Sequence, residues 1–107
     1  MPRSEIHILL HVLVPLAAAW LFFPNNQRTK AFLILMLALV IDLDHLLATP
    51  IYAPNRCSIG FHPLHTLPAM VGYVILLAPA KTRLFALGLL IHIGLDLIDC
   101  AWMRWLG

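Results

Sequence analysis

The sequence predicts an all-α membrane protein, an up-down bundle of four transmembrane helices. Of its 107 residues, 62% are hydrophobic and only 11% are charged, whereas soluble domains carry about 25% charged residues. Long apolar stretches alternate with short polar breaks, and a helix needs about 20 residues to cross a bilayer. The length therefore allows one domain of four spans over residues 1–107 and leaves no room for a soluble domain.

Proline and polar residues mark the ends of each predicted span. The breaks are residues 24–30, 49–63 and 79–83, each with at least one proline. We expect the first span to be retained rather than cleaved as a signal peptide, because two histidines lie inside a long apolar stretch. The predicted spans cover residues 5–23, 31–48, 64–78 and 84–105.

All six histidines and four of the five acidic residues lie inside the predicted spans or at their ends. An ionised carboxylate near the bilayer centre costs at least ~2.5–3.5 kcal/mol, so the four acids there need compensation. An up-down path brings all of these groups into the same half of the bilayer, which predicts one shared site. The ten candidate ligands are His7, His11, Asp42, Asp44, His45, His62, His65, His92, Asp96 and Asp99.

Imidazole and carboxylate together are ligands for zinc, iron(II) or manganese, and zinc is our first expectation. Two divalent cations would balance four aspartates, which favours a dinuclear site. Asp42, His45, His92 and Asp96 are the expected core ligands, since each pair projects from one helix face. Asp44 and Asp99 are the candidates for a bridge or a general base. Alternatively, these histidines and aspartates are buried pairs that hold the helices together.

Three motifs and His11 carry a family resemblance. The motifs are Asp-Leu-Asp-His at residues 42–45, His-Pro-Leu-His-Thr at 62–66 and His-Ile-Gly-Leu-Asp at 92–96. They resemble the motif series of the YdjM-like membrane-bound metal-dependent hydrolases, and the whole chain resembles a smaller four-span relative of that family. Pro63 and the spacing of three residues between the two histidines depart from that series. The resemblance implies a metal site and hydrolytic chemistry.

A divalent cation lowers the pKa of bound water towards ~7 and polarises a phosphoryl oxygen. We therefore expect hydrolysis of a lipid or lipid-linked phosphoester, with Asn55 and Arg56 contacting its anionic head group. Two alternatives remain open: a protein that binds or transports a metal ion, and a purely structural module. A bis-histidine haem protein is disfavoured, because the four carboxylates would then lack counter-charges.

The expected partners are membrane lipid and a second copy of the chain, through small-residue faces at Gly72, Gly88 and Gly94. No nucleic-acid partner is expected, since the seven basic residues do not form one patch. Cys57 and Cys100 either form a disulfide or are two unrelated thiols.

The basic residues weakly favour one orientation in a bacterial inner membrane. Arg28, Lys30, Lys81 and Arg83 lie in the breaks opposite the expected site, against three basic residues on the site face. Positive charge accumulates on the cytoplasmic side, so the site face is expected to be non-cytoplasmic.

Overall fold

A computed structural model of the chain describes residues 3–47, 57, 59–60 and 62–105, excluding the side chains of Arg3, Ser4, Asp44 and His45. Every regular element in these residues is helical, which confirms the all-α fold. The main elements are α1 (Arg3–Phe22), α2 (Arg28–Met36), a 3₁₀ segment (Leu37–Leu47), α3 (Leu67–Ile75) and α4 (Ala80–Trp105).

Two helices, α1 and α4, are long and apolar enough to cross a membrane. Their bounds agree with the predicted spans 5–23 and 84–105 to within four residues. At a rise of about 1.5 Å per residue, 20 residues in α1 extend about 30 Å. Helix α1 continues through Pro15, which is tolerated where neighbouring groups satisfy the freed backbone carbonyl.

The second predicted span forms as α2 followed without a break by the 3₁₀ segment. Runs of 3₁₀ helix longer than 3–4 residues are uncommon, and their rise is about 2.0 Å per residue. The change of helix type shifts the spacing of the buried positions. Ala31 and Leu35 are four residues apart in α2, whereas Leu35, Ala38 and Ile41 follow one another at intervals of three. Asp42 therefore lies at the margin of the buried stripe.

The helix observed within the third predicted span is much shorter than the predicted residues 64–78. Helix α3 has nine residues, which extend about 14 Å, roughly half the hydrocarbon thickness of a bilayer. His62 and Thr66 both have extended backbone conformations, so a single 3₁₀ turn (Pro63–His65) precedes α3 instead of a continuous helix. An extended conformation at His62 follows from Pro63, which disfavours the helical region for the residue before it.

Helix α4 is the central element, because it packs against α1, α2, the 3₁₀ segment and α3. Its approach to α2 depends on Gly88, where a Cβ atom would lie 2.7 Å from the carbonyl oxygen of Leu35. The expectation that Gly88 lies on an exposed face was therefore wrong. A Cβ atom at Gly72 or Gly94 would meet no described atom within 4 Å.

Many large apolar side chains are exposed, although the buried core is itself mainly apolar. Leu21, Phe22, Leu47 and Trp105 are each more than three-quarters exposed. Histidines and an aspartate are instead among the buried side chains. Soluble monomers rarely expose large contiguous apolar surfaces, so a lipid environment suits this exterior better than water.

Candidate metal centre

Side chains from four separate segments meet at one place. Helices α1 and α4 each contribute two side chains spaced four residues apart, which project from one helix face. The 3₁₀ segment and the turn before α3 contribute one each. The six residues are His7, His11, Asp42, His65, His92 and Asp96.

Asp42, His65, His92 and Asp96 form a set that we call the four-residue group. Nε2 of His65 lies 3.4 Å from Nε2 of His92 and 3.0 Å from Oδ2 of Asp96. Oδ1 of Asp42 lies 3.1 Å from Nε2 of His92 and 3.4 Å from Nε2 of His65. Two ligand atoms of a tetrahedral zinc ion lie about 3.3–3.5 Å apart, from zinc–ligand bonds of about 2.0–2.1 Å. The four donor atoms therefore have nearly the spacing of a tetrahedral coordination shell.

His7, His11 and Asp96 form a second set, the three-residue group. Oδ1 of Asp96 lies 3.1 Å from Nε2 of His7 and 3.2 Å from Nε2 of His11. The side chain of His7 is 23% exposed, whereas that of Asp96 is 4% exposed. His7 is thus the most exposed histidine of the two groups, while Asp42 of the four-residue group is 42% exposed.

The carboxylate of Asp96 joins the two groups. Its Oδ1 atom faces the histidines of α1, and its Oδ2 atom faces His65 and His92. One carboxylate with its two oxygens directed at separate donor sets is the geometry of a bridging ligand. The sequence-based candidates for a bridge were Asp44 and Asp99; the side chain of Asp44 lies outside the described residues, and Asp99 belongs to neither group.

Two buried polar atoms of the four-residue group have no hydrogen-bond partner among the described residues. Oδ2 of Asp96 is buried and receives no well-directed hydrogen bond within the described residues, although Nε2 of His65 is 3.0 Å away. Nδ1 of His92 is likewise buried without a partner there. An unsatisfied buried acceptor costs about 1–3 kcal/mol. A cation would accept the lone pairs that converge here, so both groups could hold a metal ion.

Further contacts orient the histidines of α1. Nδ1 of His11 lies 2.8 Å from the carbonyl oxygen of His7. A carbonyl only accepts, so Nδ1 carries a proton, and in the neutral ring Nε2 would be the nitrogen available to a cation. Asp99 lies outside both groups, with its Oδ1 3.9 Å from Nδ1 of His7. A carboxylate behind a ligand histidine raises the basicity of the ring and fixes its orientation.

Backbone contacts of the turn before α3 fix the position of His65. The amide of Gly60 donates to the carbonyl oxygen of His65 over 3.0 Å, and Gly60 has a φ of 79°, which glycine adopts without strain. The hydroxyl of Tyr73 donates to the carbonyl oxygen of Leu64 over 2.6 Å. The side chain of His65 is fully buried as a result.

One family model matches residues 1–103, which is almost the whole chain. The chain belongs to DUF6122, a family of unknown function. Comparisons with curated proteins and with solved structures found no match. The family match assigns no activity to this DUF6122 chain, and the YdjM-like relationship remains a prediction from its motifs.

A disulfide joins Cys57 to Cys100, with a Cα–Cα distance of 5.1 Å. Of the two alternatives for the cysteines of the DUF6122 chain, the structure has the bonded pair. Cys100 follows Asp99 in α4, and Cys57 precedes the turn that carries His65. The bond therefore ties the connection before α3 to the helix that carries Asp96.

The remaining predicted site residues lie apart from the two groups or outside the described part. His62 is buried, and its ring centroid lies 5.7 Å from that of His65, but it belongs to neither group. Asn55 and Arg56 lie outside the described residues, as do the side chains of Asp44 and His45. Their predicted roles in the DUF6122 chain therefore stay predictions.

Sequence reasoning did not single out Tyr73 or Gly60 as supports of the site. A tyrosine in an otherwise apolar segment is a detectable signal, because a buried hydroxyl needs a hydrogen-bond partner. Gly60, two residues before His62, is a second signal, since glycine favours the left-handed turn observed there. Neither signal predicts which carbonyl oxygen each residue contacts.

Proposed function

We propose that this protein is a membrane-embedded, metal-dependent hydrolase that acts on a lipid or lipid-linked phosphoester through a dinuclear centre. The observation that carries the proposal is the shared carboxylate of Asp96, whose oxygens each contact two histidines at 3.0–3.3 Å. Paired divalent ions commonly clamp both the attacking and the leaving oxygen of a phosphoester. The YdjM-like motifs support the same reaction class.

The proposal includes four membrane spans. Residues 28–47 would extend about 35 Å, from the rises of about 1.5 and 2.0 Å for their α and 3₁₀ parts. That length matches a bilayer core of about 30 Å. Helix α3 alone is too short to cross the bilayer. We propose that it crosses together with the turn before it and the residues after it. The exposed apolar exterior supports this embedding.

We further propose that the site faces the non-cytoplasmic side of a bacterial inner membrane. Disulfides persist in oxidising compartments and are rare in the cytosol, and the Cys57–Cys100 bond lies on the side of the site. The breaks at the other end carry Arg28, Lys30, Lys81 and Arg83, as the positive-inside rule requires of a cytoplasmic face.

The residues divide into ligands and positioning residues. The four-residue and three-residue groups would hold zinc, with iron(II) or manganese as alternatives. Ions bound there would polarise a phosphoryl oxygen and lower the pKa of water. Asp99, behind His7, is the candidate for orienting that ring rather than for bridging. Asp44 keeps its sequence-based assignment as a bridge or general base.

An opening between α1 and the 3₁₀ segment supports an amphiphilic substrate. This opening, which we call the side cavity, has a volume of about 160 Å³. His7, His11 and Asp42 form its polar part, and three apolar side chains complete the lining: Ile8, Val12 and Leu39. A substrate with a polar head and an apolar chain suits such a lining.

The alternative is a protein that holds or transports a metal ion without hydrolysis. The four-residue group favours metal retention, because closed shells of four protein ligands are typical of structural zinc sites. A transmembrane path is less favoured, since no described residue from Val12 to Gln27 in α1 and the following turn is ionisable. The described ionisable residues of α1 therefore lie in its first half.

Proteoliposomes loaded with zinc test the two functions together. We expect cleavage of a fluorescent phospholipid, and we expect Asp42→Ala and His92→Ala each to reduce the rate at least about 100-fold, the order that removal of a key catalytic group produces. Glu5→Gln is the matched control, since Glu5 is exposed and belongs to neither group. Zinc uptake without cleavage would replace the hydrolase with a transporter, and cleavage unaffected by both alanine variants would refute the site.

A further inference from the structure

The two groups differ in how many ligands they offer. The four-residue group presents one donor atom from each of four side chains, with spacings of 3.0–3.4 Å. The three-residue group presents two histidine nitrogens and one oxygen of the shared Asp96. Zinc sites with four protein ligands are mainly structural, whereas sites with three keep a position for water or substrate.

The histidines of the two groups also differ in exposure. The side chains of His65 and His92 are 0% and 3% exposed, whereas that of His7 is 23% exposed. The side cavity is lined by both histidines of the three-residue group and also reaches Asp42 of the four-residue group, whose side chain is 42% exposed. An ion held by three protein ligands keeps a fourth position for a ligand, whereas four protein ligands fill a tetrahedral shell. The ligand count therefore assigns the position that is open to the side cavity to the three-residue group.

Resting on the dinuclear centre proposed above, we infer that the two metal positions have different tasks. The four-residue group holds a tightly bound structural ion, and the three-residue group holds an exchangeable ion that binds the anionic group of the substrate from the side cavity. Asp96 links the tasks, because each of its oxygens belongs to one position. The four-residue position fills first, and it orients Asp96 for the second ion.

Calorimetric titration of the metal-free, detergent-solubilised protein with zinc, in the presence of a competing chelator, tests this inference. We expect two classes of site whose dissociation constants differ by at least about tenfold, equivalent to about 1.4 kcal/mol. His7→Ala should abolish the weaker class and keep the tighter one. Glu5→Ala, an exposed change on the same helix, should keep both.

Inorganic phosphate then reports the vacant position. We expect phosphate to bind the wild-type protein carrying two zinc ions and to bind His7→Ala at least about tenfold more weakly. The melting temperature of metal-free His7→Ala should match that of the wild type, which separates lost ligation from lost folding. His7→Asn is the second variant if alanine lowers the melting temperature.

The outcomes separate this inference from the proposed function. A wild-type protein that binds no zinc refutes the dinuclear centre itself, and the inference with it. Three other results would refute the division of tasks but leave the metal centre in place. They are two sites of equal zinc affinity in the wild type, loss of both ions in His7→Ala, and unchanged phosphate binding in that variant.

Discussion

The close contact between α2 and α4 at Gly88 links the packing of the helices to the geometry of the site. In Gly88→Ala, the new Cβ would lie 2.7 Å from the carbonyl oxygen of Leu35 and 3.0 Å from its Cα. Both are backbone atoms, so no side-chain rotation relieves the overlap. Restoring an ordinary contact of 3.4 Å requires the helices to separate by roughly 0.7 Å, the difference between 3.4 and 2.7 Å.

The energetic cost follows from two opposing terms. Overpacking a close-fitting contact costs about 1–3 kcal/mol, and replacing glycine by alanine in a helix stabilises by about 0.5–1 kcal/mol. The two terms together give a net destabilisation of up to about 2.5 kcal/mol. Gly94→Ala is the matched control on the same helix, because its Cβ meets no described atom within 4 Å. That variant should be neutral or slightly stabilised.

The same displacement should weaken the four-residue group. Asp42 lies two turns beyond Leu35 on the displaced segment, and its Oδ1 is 3.1 Å from Nε2 of His92. Lengthening that distance by roughly 0.7 Å, to about 3.8 Å, would take the two atoms beyond the distance between two ligands of a tetrahedral zinc ion. Unfolding titrations in mixed micelles and zinc-binding measurements check both effects. Equal stability and equal zinc affinity in Gly88→Ala and Gly94→Ala would refute this reasoning.

Three further substitutions test the supports of the site. Tyr73→Phe removes the hydrogen bond to the carbonyl oxygen of Leu64 and should lower the free energy of unfolding by about 0.5–1.5 kcal/mol. Zinc affinity should also fall. An unchanged zinc affinity would mean that this contact does not position His65. Replacing both Cys57 and Cys100 by serine removes a link between residues 43 positions apart. The free energy of unfolding should fall by about 4 kcal/mol in the chain-entropy model. A double-serine variant as stable as the wild type would contradict this contribution of the disulfide. Asp99→Asn should weaken zinc binding about 10–100-fold, as changes behind ligand histidines do, whereas complete loss of an ion would make Asp99 a direct ligand.

The helical fold and the ends of α1 and α4 follow from apolar length, proline and polar turns, which are local signals. The change from α-helix to 3₁₀ helix after Met36 is less accessible to this reasoning. Residues 37–47 have the composition of an ordinary α-helix, and the packing of Ala38 and Ile41 against α3 and α4 is a tertiary contact that local composition does not reveal. The short α3 was partly encoded in Pro63 and Pro68, since prolines restrict the residues before them.

Spacing along one helix predicts which side chains share a face, and this logic applies to His7 with His11 and to His92 with Asp96. It does not predict distances between helices. The contact of Asp96 with histidines from three segments depends on how α1, α4 and the turn before α3 pack together. For that reason the sequence placed Asp96 among the core ligands but did not predict that its two oxygens face separate sets of histidines.

The zinc content of the purified protein, compared between the wild type and Asp96→Asn, tests the shared carboxylate most directly. Elemental analysis after removal of loosely held metal should find up to two ions per wild-type chain, and Asp96→Asn should lose both, because its carboxylate contacts the histidines of both groups. Glu5→Gln should retain the wild-type content. A folded Asp96→Asn variant with undiminished zinc, or a wild-type chain with less than about half an equivalent under zinc-replete conditions, would contradict the account.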